Sequence, residues 1–121
     1  MDARLREGIR LFNDRQFFAS HEILEQFYHE TEAENKPFLE GLIQLAAAFR
    51  LFNDFGETKG PVRMIYQALI RFENYQPAFL QVKVGELCRD AEAWAKAAEA
   101  TGAQPALDAM PRITLQRFGL F

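Results

Sequence analysis

Apolar residues recur at helical spacing along most of this 121-residue chain. Leu5, Ile9 and Phe12 follow the i, i+4, i+7 pattern that places side chains on one face of an α-helix. The same period returns in four later segments, which cover residues 16–30, 37–52, 61–72 and 85–101. The pattern therefore predicts an all-α, single-domain bundle of about five helices.

Turn-forming residues separate these segments. Asn13-Asp14-Arg15 should end the first helix and Gly56 the third, because asparagine, aspartate and glycine tolerate turn conformations. Pro61 opens the fourth segment and Pro77 follows it. Residues 79–84 fit either a short extended piece or the first turn of the last helix.

The end of the chain differs from the rest. Residues 1–102 carry the helical bundle, whereas residues 103–121 contain two prolines and no helical period. This tail ends in Phe118-Gly119-Leu120-Phe121, which is too apolar to remain in solvent. We expect the tail to pack on the bundle or on a neighbouring subunit.

Composition and charge argue against several function classes. The formal net charge is −3, and the arginines near the start alternate with acidic residues, so nucleic-acid binding is not expected. The longest apolar run, Leu45 to Phe49, is far too short to cross a membrane. Cys88 is the only cysteine, which suits the reducing cytoplasm.

The second helix is apolar on more than one side. Ile23 and Phe27 lie away from the stripe that contains Phe17, Leu24 and Tyr28. Such a helix is either central in a bundle or covered by another subunit. Together with the apolar tail, this predicts a homo-oligomer, in the simplest case a dimer.

The most distinctive polar pattern of the chain also lies on this helix. His21-Glu22-Ile23-Leu24-Glu25 is an HExxE motif, in which His21 lies beside the apolar stripe and Glu25 follows one turn later. Both side chains are predicted to be buried, where an ionisable group needs a partner. On the third helix, Gln44 and Asn53 lie close enough to the inward face to supply one, whereas Glu40 does not.

Three interpretations of these residues stay open. A buried network of His21, Glu25 and Gln44 would hold two helices in register without a ligand. Alternatively, His21, Glu25 and His29, at i, i+4 and i+8, would contribute ligands to a divalent metal ion, although the Glu-x-x-His pairs of di-iron bundles are missing. In the third interpretation, His21 and a carboxylate act as general acid and base.

Three segments of the chain together resemble a known family. Gly8-Ile9-Arg10-Leu11-Phe12-Asn13, His21-Glu22-Ile23-Leu24-Glu25 and Gly41-Leu42-Ile43-Gln44-Leu45-Ala46-Ala47 are similar in order and spacing to DUF309, a group of small prokaryotic helical proteins of unknown function. The resemblance covers roughly residues 5–100 and implies an all-α bundle, a cytoplasmic location and no established activity. The recurrent polar residues of the family map onto His21, Glu22, Glu25 and Gln44.

The function predicted from these observations is a non-enzymatic binding or assembly module that contains a buried His/Glu/Gln cluster and needs no cofactor. The sequence identifies no small-molecule ligand for it. The alternative is a metal-dependent hydrolase, or another small-molecule enzyme, that uses His21, Glu22 and Glu25.

Overall fold

The computed structural model describes residues 1–101 and 109–117. This part of the chain folds into five α-helices, which confirms the predicted all-α bundle. The helices are α1 (Ala3–Asn13), α2 (Phe17–Glu30), α3 (Lys36–Phe55), α4 (Lys59–Phe72) and α5 (Val84–Thr101). Short 3₁₀ turns, Ala33–Asn35 and Glu73–Tyr75, precede α3 and follow α4.

The helix ends follow the capping residues. The Asp2 side chain accepts a hydrogen bond from the backbone N–H of Arg4 at 2.8 Å and so caps the start of α1. Pro37 lies in the first turn of α3. Gly56 adopts the left-handed conformation, with φ of 70°, and ends α3 as predicted.

The core lies on one side of α3, which is the central helix. Phe49 contacts the rings of Phe12 and Phe17, from α1 and α2, with ring centroids about 6 Å apart. On its other side Phe49 packs against Trp94 of α5 at 5.1 Å. The predicted α3 stripe, which includes Phe38 near the start of the helix, is fully or almost fully buried.

A glycine brings α3 and α4 close together. Gly41 faces the ring of Phe72, and a Cβ atom built on Gly41 would lie only 2.6 Å from the Phe72 Cε1 atom. The absence of a side chain on Gly41 is what allows α4 to approach α3 so closely. The pair also fixes how α4 lies relative to α3, and therefore the position of the polar residues between them.

The segment before α5 is neither a simple extended piece nor the first turn of that helix. Phe79 and Val82 form an isolated bridge, with Val82 N donating to Phe79 O at 2.8 Å. The two residues between them, Leu80 and Gln81, both have positive φ values, of 47° and 68°. The segment is therefore a tight turn of the kind that usually joins two strands.

Residues 109–117 dock between the end of α1 and this turn. The Asn13 side chain donates to the carbonyl of Ile113 at 2.9 Å and accepts from its N–H at 2.8 Å. Lys83 N donates to Thr114 O at 2.9 Å, and both Met110 and Ile113 are buried. The rest of the predicted tail, residues 103–108 and Phe118-Gly119-Leu120-Phe121, lies outside the described residues.

Across residues 1–101 and 109–117, none of the helices combines the length and apolar character needed to span a bilayer.

Candidate binding groove

The buried face of α2 differs from the predicted one. Its buried residues are Phe17, Ser20, Leu24 and Phe27, so the centre of this face is rotated away from Tyr28 and toward Ser20. The predicted burial of the polar cluster is therefore wrong. The side chain of His21 is 32% exposed and that of Glu25 is 49% exposed.

A serine explains this rotation. Ser20 is completely buried, and its hydroxyl donates to the carbonyl of Gly8 on α1 at 2.7 Å, so its burial leaves no unpaired group. A Cβ atom built on Gly8 would lie 2.5 Å from Leu24, which shows how closely α1 approaches α2. A prediction from apolar periodicity counts serine as polar and therefore misses this face. The small residues Gly8 and Ser20 are the signal in the sequence that could have indicated it.

The same contact covers the second apolar side of α2. Ile23 lies close to Gly8, and the guanidinium of Arg4 on α1 lies 5.4 Å from the centre of the Phe27 ring. Helix α1 therefore supplies the cover that we had expected from another subunit. The apolarity of Ile23 and Phe27 no longer supports a dimer.

All of the predicted site residues except Glu22 line an open groove of about 420 Å³ between α2 and α4, with α3 as its floor. We call it the α3 groove. His21, Glu25 and Gln44 all border it, whereas Glu22 is exposed elsewhere on α2. The full lining consists of His21, Glu25, Tyr28, His29, Glu40, Ile43, Gln44, Ala47 and Arg71.

A hydrogen-bonded network joins the three helices across the groove. The Tyr28 hydroxyl donates to Glu40 Oε1 at 2.8 Å, and Arg71 Nη1 donates to Glu40 Oε2. Arg71 Nε also donates to Gln44 Oε1 at 3.2 Å, and Gln44 Nε2 donates to Gln67 Oε1 at 2.7 Å. The hydrogen bond to Glu40 raises the pKa of Tyr28 above its ordinary value.

The outer edge of α2 forms the opposite wall. His21 Nδ1 lies 3.7 Å from Glu25 Oε2, and His29 Nε2 lies 3.8 Å from Glu25 Oε1. These three side chains follow one another along the helix, and the structure shows no bond from them to the network across the groove. Within residues 1–101 and 109–117, no group of three or more His, Cys, Asp or Glu side chains could hold a metal ion.

Gln44 borders the same groove as His21 and Glu25, but it bonds to α4 and not to His21, as the predicted buried network required. Glu40 was not predicted to contribute, because it lies away from the inward face of α3. Glu40 instead links Tyr28 to Arg71, because the groove lies on the outer side of α3. Asn53 bonds to its neighbour Asp54 and does not line the groove.

Exposed aromatic residues extend this surface beyond the groove. Phe18 of α2 is 49% exposed and Phe55 at the end of α3 is 62% exposed. The guanidinium of Arg50 lies between them, 4.4 Å from the Phe18 ring centre and 5.6 Å from that of Phe55. Arg50 therefore covers part of this aromatic surface with its charged group.

A second cleft, of about 470 Å³, lies between α4 and α5. Val62, Tyr66 and Ile70 form most of its apolar wall, and the Tyr66 hydroxyl donates to Glu99 at 2.6 Å. None of the site residues predicted from the sequence lines this cleft.

No curated protein matches the chain. A family match covers residues 5–64, which include most of α1, all of α2 and α3, and the start of α4. It therefore contains His21, Glu25 and Gln44 but not Arg71. The matching model is described as Domain of unknown function (DUF309), which confirms the predicted resemblance to the DUF309 family over residues 5–64.

Proposed function

We propose that this protein is a non-enzymatic assembly module, which binds another protein surface through the α3 groove and its margins. The observation that carries the proposal is the make-up of this face. Its centre is apolar and partly exposed, at Ile43 and Ala47, and ionic side chains surround that centre. An apolar centre with a polar rim is the usual arrangement of a protein interface.

The margin of the groove favours a protein over a small molecule. Phe18 and Phe55 hold Arg50 between them, outside the groove itself. Aromatic residues and arginine are enriched in protein interfaces and often dominate the binding free energy. A small molecule in the groove would leave these rings exposed, whereas a protein partner would cover them.

The groove walls have different roles in this proposal. Glu40, Gln44 and Arg71 are tied to one another, so they give the floor of the groove and its α4 wall a fixed shape. His21 and Glu25 interact only weakly along their own helix, at 3.7 Å, and are partly exposed. They are therefore the groups that we expect to exchange water for a partner's polar atoms on binding.

We also propose a cytoplasmic location. Its support is the single cysteine, Cys88, which cannot form a disulfide within the chain.

The assembly proposal can be tested in cell extracts by the native size of the tagged chain. A charge at the centre of the face, Ala47→Glu, should shift the protein from a larger complex toward the mass of one chain, 13.9 kDa. Ala3→Glu is the matched control, because Ala3 is exposed on α1, away from the groove. It should leave the size unchanged.

Two results would contradict the proposal. One is that the unsubstituted chain already runs at the mass of a single chain in the extract. The other is that Ala47→Glu and Ala3→Glu give the same size. Circular dichroism of both purified variants would show that each one still folds.

A further inference from the structure

Six of the partly or largely exposed side chains of α3 follow a coiled-coil spacing. They are separated alternately by four and three residues, which keeps them on one face of the helix. Each is partly or largely exposed, and most carry a charge. In order they are Lys36, Glu40, Ile43, Ala47, Arg50 and Asp54.

The charges of these side chains would complement those of a second, identical helix that runs in the opposite direction. Lys36 and Asp54 are equally far from position 45 and have opposite charges. Glu40 and Arg50 form a second such pair, and Ile43 and Ala47 form an apolar pair between them. If two α3 helices met in antiparallel orientation, each charge would face its opposite. In parallel orientation each charge would face its own copy.

Helix α2 also carries side chains in symmetric pairs, and the centre of these pairs lies beside position 45 of α3. Its exposed edge carries Phe18 and Tyr28, both aromatic and equally far from position 23. Two contacts show that the centres of the two helices coincide. Phe18 lies against Arg50, and the Tyr28 hydroxyl donates to Glu40, so each member of one pair lies beside a member of the other.

Within that α2 edge, His21 and Glu25 are also equally far from position 23. A two-fold axis across the helices would place His21 of each copy opposite Glu25 of the other. A residue pair that is spaced for contact along one helix would then also make contact between copies. Such reciprocal pairing is what a closed two-fold interface requires.

We propose that the partner of this face is a second copy of the chain, held by antiparallel pairing of the two α3 helices about position 45. This inference rests on the proposed assembly function and adds the partner, its orientation and its register. The central contact is Ile43 of one copy with Ala47 of the other. Ion pairs between Lys36 and Asp54, and between Glu40 and Arg50, lie on both sides of it.

Charge exchange at the outer pair tests the register. Lys36 and Asp54 are about 27 Å apart along their own helix, so they cannot contact each other within one chain. Lys36→Glu and Asp54→Lys should each weaken the dimer about tenfold, because each creates two like-charge contacts per dimer. The double variant Lys36→Glu/Asp54→Lys should restore the dimer toward its original dissociation constant.

Loss of folding would not produce weakened single variants together with a restored double variant. A glutamate near the start of α3 and a lysine near its end both interact favourably with the helix dipole. Asp54 lies 3.7 Å from Arg50 of its own helix, so the melting temperature of each variant provides the control for that lost contact. Sedimentation equilibrium of the purified full chain would supply the dissociation constants.

The outcomes separate this inference from the assembly proposal. A purified chain that is monomeric at about 100 µM would overturn the second-copy inference, because this concentration is well above the dissociation constant of a stable dimer. If its complex in cell extracts nevertheless dissociated on Ala47→Glu, the assembly function would stand with a different partner. A purified dimer that the double variant fails to restore would overturn the antiparallel register.

Discussion

Gly41 of α3 lies directly against the Phe72 ring of α4, with space for no additional atom between them. Gly41→Ala should therefore destabilise the protein by about 1–3 kcal/mol, since overpacking outweighs the gain in helix propensity. The free energy of unfolding in urea measures the effect.

Gly60→Ala is the control for this substitution. Gly60 also lies in a helix, but a Cβ atom built there meets nothing closer than Glu57 Oε2 at 3.9 Å. This variant should be as stable as the original chain or more stable, by up to about 1 kcal/mol. Equal losses for both variants would show that backbone conformation, and not the Phe72 ring, decides the result.

Asn13 holds residues 109–117 through both backbone groups of Ile113, at 2.9 Å and 2.8 Å. Asn13→Ala should lower the free energy of unfolding by about 1–3 kcal/mol, because it leaves these partly buried groups unpaired. Hydrogen exchange at the Ile113 amide should also become faster. Asn74→Ala, at an exposed position, serves as the control and should change neither quantity. Unchanged exchange at Ile113 in Asn13→Ala would show that other contacts hold this segment.

Cys88 should react slowly with disulfide reagents. Burial raises the pKa of its thiol from the ordinary 9.0 to about 11. At pH 8 the thiolate fraction is then on the order of a hundredfold smaller than for a free thiol, and higher intrinsic nucleophilicity offsets only part of this. We expect a reaction at least about tenfold slower than that of a cysteine peptide, with equal rates once urea unfolds the protein. A rate equal to the peptide's in the folded protein would contradict the assigned environment.

Tyr66 should lose its proton later than an ordinary tyrosine. Its hydrogen bond to Glu99 raises its pKa from 10.0 to about 12. Because the folded state holds this proton more tightly than the unfolded state, the stabilising contribution is complete below pH 10 and is lost as the pH rises through about 12. Absorbance near 295 nm follows the titration, and Tyr66→Phe identifies the component. Glu99→Gln should shift that component to lower pH, and no shift would exclude Glu99 as the cause.

The helices could be predicted because several signals agree at each of them. The apolar period of α3, for example, is bounded by Pro37 at its start and Gly56 at its end. The turn at Leu80 and Gln81 could not be predicted. Turns with two positive φ values usually contain asparagine and glycine, and here the bridge between Phe79 and Val82 imposes the conformation instead.

The candidate site was predicted in part, and the misses have one physical origin. Ser20 is polar but buried, since a backbone carbonyl satisfies its hydroxyl. This rotates the buried face of α2 by about 40° from the predicted orientation and brings His21 and Glu25 to the surface. The groove then lies on the outer side of α3, where Glu40 and Arg71 meet. A pattern of apolar residues does not record which polar side chains will be satisfied by the backbone.

The attachment of residues 109–117 has a consequence for the order in which the chain acquires its structure. The most extensive packing in the described structure is between consecutive helices, so these contacts can form progressively as the polypeptide is synthesised. Asn13 and Ile113 are 100 positions apart, and their hydrogen bonds cannot form until residue 113 has left the ribosome. The side chain of the last residue of α1 therefore gains its partners only after the segments of all five helices have been synthesised.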